Sequence, residues 1–146
     1  MASTSPDEYE RLLHAHLEVN PASLAALRQR GIDESTPLQL DFEFTAPGEA
    51  EVRSLLRFLR AETDYEFQGG ARDQPDGTQR WMVLGMTSPM ELSLDVLNEW
   101  VTRMTVYGRD HGPAKFDGWG AHAAESDAAT RKRKRGVLLK LLRRGR

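Results

Sequence analysis

The 146-residue chain has no cysteine. Disulfides, thiolate zinc sites, iron–sulfur clusters and cysteine nucleophiles are therefore excluded. It also lacks any apolar run approaching the ~20 residues that a membrane-spanning helix needs. Residues 1–7 show neither the basic start nor the apolar stretch of a secretory signal, so a reducing cytoplasm is the expected compartment. No glycine-rich phosphate loop is present: Gly69-Gly70 follows a strand-like stretch, without the helix start or lysine that phosphate binding requires. Histidine is scarce, and the only close pair, His14 and His16, would point about 200° apart on a helix and share an ion poorly. His111 can be written with Asp117 as an acid–base pair, but a histidine at a helix end is favoured by the helix dipole without any catalytic role. No serine stands in a motif with a neighbouring base. The expectation is a protein without catalytic residues, metal or cofactor.

What is present is a polar, globular composition. Hydrophobic residues make up 39% and charged residues 29%, with a mean hydropathy of -0.58, which suits one compact domain with polar ends. The net charge of -2 conceals a segregation of sign. Nine of the 20 Lys and Arg fall in residues 131–146, which hold no acid; the first 130 residues keep eleven bases against all 22 acids. The body thus carries -11 and the tail +9. Such a body repels phosphate backbones and suits a basic protein segment, while the tail attracts RNA, anionic lipid or acidic protein.

Hydrophobic periodicity divides the chain into elements. Residues 7–30 read as helical, with Tyr9, Leu12, Leu13, His16 and Leu17 near one stripe, a break at Asn20-Pro21 and a restart through Leu24 and Leu27. Past Pro37 the period becomes two: Leu38, Leu40, Phe42 and Phe44 alternate with Gln39, Asp41, Glu43 and Thr45, predicting a strand with one buried and one wet face. Val52, Leu55, Leu56 and Leu59 then follow helical spacing. A short strand over residues 64–68 is predicted to end at Gly69-Gly70, with a turn at Pro75-Asp76-Gly77 after it. Residues 80–87 form a third strand whose Trp81, Met82, Val83 and Leu84 are apolar on both faces, the mark of a central position. A helix over 93–110 presents Leu97, Trp100, Val101 and Met104, and residues 115–121 suit an edge strand. The order strand, helix, strand, strand, helix, strand is that of an α+β, ferredoxin-like split βαβ fold: a four-stranded antiparallel sheet with two helices on one face. We divide the chain into N-terminal helices within residues 1–36, this domain at 37–122, and a linker with a basic tail at 123–146.

RNA-recognition motifs share that order, but they stack bases on exposed aromatics above a basic surface. Here the wet side of the first strand offers Gln39, Asp41 and Glu43 on a body at -11, so counterion release cannot favour RNA there. Paired Asp41 and Glu43 could serve acid–base work, although alternation alone places polar residues on a solvated face. The densest local signal is Phe116-Asp117-Gly118-Trp119-Gly120. A tryptophan between glycines either closes the core or stands as a binding anchor.

That aromatic-Asp-Gly-Trp element, after a helix ending in glycine, resembles the C-terminal motif of the RraB family, the regulators of ribonuclease activity B. The alternating strand from Leu38, the strand opened by Trp81 and the helix before Gly108 agree with it, over about residues 20–123. The resemblance implies a ferredoxin-like, acidic, non-enzymatic protein that binds endoribonuclease E and retunes RNA cleavage by protein–protein contact. One departure stands out: members of the family end in acidic tails, whereas this chain ends in a basic one. Asp41, Glu43, Asp117, Gly118 and Trp119 are the expected partner-binding residues, and an endoribonuclease or degradosome component the expected partner. The tail, with Arg131, Lys132, Arg133, Lys134, Arg135, Lys140, Arg143 and Arg144, is a second candidate surface, for RNA, anionic membrane or protein. Written as a helix it gathers Leu138, Leu141 and Leu142 on one side.

Overall fold

A computed structural model describes residues 6–123. Its elements are α1 (Pro6–Gln29), β1 (Leu38–Ala46), α2 (Glu49–Glu62), β2 (Glu66–Asp73), β3 (Gln79–Met86), α3 (Leu94–His111) and β4 (Lys115–Ala123). The four strands pair antiparallel in the order β2-β3-β1-β4, with α2 and α3 on one face. This is the ferredoxin-like arrangement that the element order predicts. The basic tail lies outside the described residues.

The alternation along β1 decides which face is covered. Leu38, Leu40, Phe42, Phe44 and Ala46 are all buried, against Val52, Leu55 and Leu59 of α2 and Leu97, Trp100, Val101 and Met104 of α3. Aromatic rings meet edge to face in this layer, Phe42 with Trp100 at 6.3 Å and Phe44 with Phe116 at 5.5 Å between centroids. The Ser93 hydroxyl caps α3 by accepting the Val96 N–H at 3.2 Å, and the Gly112 N–H closes its other end on the Gly108 carbonyl.

Two expectations are corrected. Gly69-Gly70 does not end β2, which continues to Asp73. Gly69 lies opposite Val83 on the helix-covered face, and a Cβ there would come within 2.5 Å of a Val52 methyl. The glycine lets α2 pack directly on the strand rather than breaking it. Nor does Asn20-Pro21 divide the N-terminus: α1 is a single helix with Pro21 inside it. A proline within a helix forfeits a hydrogen bond and costs roughly 3 kcal/mol. Tertiary anchors offset that cost. The Tyr9 hydroxyl donates to the Ala114 carbonyl at 3.3 Å, and His16 Nε2–H to the Phe116 carbonyl at 2.8 Å. Asn20 is buried beside the proline; its Nδ2 donates to Asn98 Oδ1 of α3 at 2.9 Å, and its Oδ1 accepts the Trp119 indole N–H of β4 at 3.2 Å.

Asn20 thus joins α1, α3 and β4 through one amide. Replacing it with alanine strands the indole N–H and the Asn98 amide, and leaving a buried polar group unpaired costs about 1–3 kcal/mol. Urea unfolding of Asn20→Ala is expected to show a loss of that size, and a loss below ~0.5 kcal/mol would mean that the helix is held by its apolar face alone.

Candidate protein-binding face

The residues of β1 that point away from the helices build the other face of the sheet. Register places Asp41 opposite Met86, Glu43 opposite Leu84 and Thr45 opposite Met82 on β3. On the outer strands it adds Glu66, Gln68, Gly70 and Arg72 of β2, and Gly118, Gly120 and His122 of β4. The helices make their sheet contacts through Phe42, Phe44, Gly69 and Phe116, all on the opposite side.

Charged groups on this face are tied together. Arg80 bridges Glu43 at 3.1 Å and Asp117 at 3.3 Å, and its guanidinium also reaches the Thr45 hydroxyl at 2.9 Å, which donates to Asp117. Asp41 pairs with His122 across the β1–β4 seam. Gly120 makes that pair possible, because a Cβ there would stand 2.7 Å from the Asp41 carboxylate. Between Glu43 and Phe44 the β1–β4 register shifts, leaving Asp117 as the extra residue of a bulge, and Gly118 follows with φ of +147°. The bulge turns the Asp117 carboxylate toward Arg80. Partial burial pushes the Glu43 carboxyl above its ordinary range; repulsion from Asp117 adds to the shift and attraction to Arg80 opposes it.

The expected wet face is only partly wet. Gln39 is buried, with its Nε2 donating to the Thr87 carbonyl, and Asp41 and Glu43 are half-buried, while Asp117 is exposed. Met82, Leu84 and Met86 form an apolar stripe here at 1%, 2% and 4% exposure.

Asp41, Glu43 and Asp117 therefore share one face, with Gly118 beside them. Trp119 does not join them. It pairs with Phe42 on the helix side, where its indole bonds Asn20 and its ring lines a groove of about 530 Å³ with His16, Val19 and Leu27 of α1. Sequence reasoning missed Arg80 and His122, whose partners lie 37 and 81 residues away and are brought close only by strand register. The apolar stripe did leave a signal: four consecutive apolar residues in β3 put apolar side chains on both faces of that strand, the mark of its central position.

A model of the family described as regulator of ribonuclease activity B, RraB, matches residues 17–121. The chain belongs to the RraB family. The match takes in β1, β3, the Asp117 bulge and Trp119, so it covers most of the charged face and of the groove under α1, with His122 and His16 just outside it. No curated relative matches the sequence. RraB membership carries a regulatory, non-catalytic role exercised on a protein partner. Among the described residues no three His, Asp or Glu side chains gather to hold a metal ion.

Two measurements probe this face. A carboxyl whose folded-state pKa is raised contributes stability below its ordinary value of 4.5, and that contribution is lost as pH rises through the folded-state value. Glu43→Gln removes the penalty of the charged form, so its stability relative to the parent should rise from acid to neutral pH; a pH-independent difference in urea unfolding would sink the assignment. Gly120→Ala is expected to push Asp41 off His122, read as a shifted His122 ring resonance in NMR with the fold retained. An unmoved resonance would show that the carboxylate adapts in place.

Proposed function

We propose that this RraB-family chain acts in the cytoplasm by docking a basic segment of an endoribonuclease, or of its degradosome scaffold, on the face built from Asp41, Glu43 and Asp117, and so retunes RNA degradation without catalysing it. The observation that carries this reading is the family match over residues 17–121, and the body charge of -11 supports it. An acidic surface steers an arginine-rich, disordered segment into encounter, and half-buried carboxylates then pair with its guanidinium groups. Trp119, on the other side of the sheet, serves as a separate anchor beside α1.

The nine bases of residues 131–146 favour a second reading, in which the tail carries the chain to RNA or to an anionic membrane.

The purified chain and the endoribonuclease of its host separate the two. Binding should weaken as salt rises, and cleavage of a reference RNA should change in rate when the chain is added. Asp41→Asn with Glu43→Gln should slow association about tenfold. Absence of any salt-sensitive binding to the enzyme or its scaffold ends the first reading. Truncation after Thr130 should leave that binding in place; loss of RNA or vesicle retention on truncation, with the enzyme ignored, establishes the second.

A further inference from the structure

The two edges of the sheet differ. Along β4 the outer side is occupied by α1, through the Tyr9 hydroxyl on the Ala114 carbonyl and His16 on the Phe116 carbonyl, and the strand is bulged at Asp117. Strand β2 forms the other edge and, among the described residues, pairs on one side only. Its register with β3 runs from Glu66 opposite Met86 to Asp73 opposite Gln79 without a shift. It holds neither proline nor bulge, and residues 67–71 are uncharged. Edge strands are ordinarily blunted by such devices, because their unpaired backbone is a template for a further strand. The phase of the ladder fixes which groups are offered. The Gln74 N–H bonds the Thr78 carbonyl at 2.8 Å, and in an antiparallel ladder bonded pairs alternate with non-bonded ones. Gln68 and Gly70 therefore bond β3, while the N–H and C=O of Phe67, Gly69 and Ala71 point out of the sheet.

An arginine row stands over this edge. At about 100° per residue, Arg53, Arg57 and Arg60 fall within about 60° of one another around α2. The row faces β2, because the Arg60 guanidinium lies 5.7 Å from the centroid of the Phe67 ring. Gly69 brings it close: with no Cβ to meet Val52 and Leu56, the strand lies directly against the helix. All three arginines are exposed. Arg53 pairs with Glu49 one helical turn away, and Arg57 has no ion pair among the described residues. Three of the eleven bases in a body at -11 are thus gathered at one strand edge.

We propose that this edge takes an extended, acidic segment of another protein as a fifth strand of the sheet. The backbone groups of Phe67, Gly69 and Ala71 supply the ladder, and acidic side chains at alternate positions of the segment meet the arginines. The repeats match. Arg53 to Arg60 spans about 10 Å along the helix axis, and alternate side chains of a strand recur every ~7 Å, which sets two carboxylates along the row. RNA has no amide ladder to bond the edge, and the charge of the body repels it. A second copy pairing β2 with β2 sets two arginine rows against each other. The site is separate from the carboxylate face, and so from the proposed function, and it calls for a partner of the opposite charge.

The test is amide exchange by NMR on the isotope-labelled full chain, with an eight-residue peptide of alternating glutamate and valine as the probe. Bound peptide should slow exchange at Phe67, Gly69 and Ala71, with no comparable change at Gln68 and Gly70, which β3 already holds. Arg57→Glu, an exposed change, should weaken binding about tenfold. Ala71→Pro removes a donor that points out of the sheet, so it should weaken binding while the amides shared by β2 and β3 stay protected. Unchanged affinity in Arg57→Glu overturns the proposal. Peptide-induced shifts without slowed exchange at the three edge amides overturn strand addition, as does an oligouridylate that binds the arginine row as tightly as the peptide. Edge protection that grows with protein concentration and without peptide assigns the edge to a second copy and overturns it as well. No binding at millimolar peptide ends the proposal. The lysine–valine counterpart should leave the edge amides unprotected, and its effect at Asp41 and Glu43 bears on the proposed function alone.

Discussion

Strand β1 is bonded on both sides, to β3 and to β4, and the rest of the molecule depends on how its side chains divide between the two faces. A central strand has no free edge, so a shift of one residue would carry every phenylalanine and leucine to the wrong side at once. Because Phe42 and Phe44 go under the helices, Asp41 and Glu43 must go to the opposite face. The same constraint then selects which residues of β3 and β4 meet them. Apolar packing on one side thereby assembles a charged network on the other, without either side chain set contacting the other directly.

The proposed docking role asks of that network a recognition surface rather than a reaction centre. Its carboxylates, half-buried at Asp41 and Glu43 and exposed at Asp117, are paired with Arg80 and His122 on a sheet face instead of converging in a pocket. Pairing holds the groups in fixed positions, and partial burial strengthens their interaction with an incoming charge relative to full exposure. Two backbone features serve this arrangement. The bulge at Asp117 re-aims a carboxylate, and the bare Gly120 leaves room for another to lie across the seam. The Asp-Gly-Trp-Gly stretch thus owes its residue types to three separate demands: a bulge, a passage for Asp41 and an indole for Asn20.

Much of the architecture was legible in the residue pattern. Period-two spacing in β1, helical spacing in α2 and α3, and an apolar run in β3 identify the elements and their order, and the order implies the ferredoxin-like sheet. The errors lie where local signals meet tertiary contacts. Proline normally interrupts a helix, but at Pro21 the neighbouring Asn20 is fastened to α3 and β4. A glycine pair normally ends a strand, yet Gly69 is where α2 comes closest to the sheet. The candidate site was half legible: Asp41, Glu43 and Asp117 are together, whereas Trp119, two residues from Asp117, faces the other way.

The sequence by itself determined the elements, the absence of thiol chemistry, the segregation of charge and the polar side of β1, because each depends on residue identity and short-range spacing. Only the tertiary structure decided that Arg80 meets Glu43 and Asp117, that His122 meets Asp41, and that Met82, Leu84 and Met86 share their face. Those meetings follow from strand register and from a one-residue bulge. Register is a collective outcome of the whole sheet and its helices, and no local window of the chain contains it.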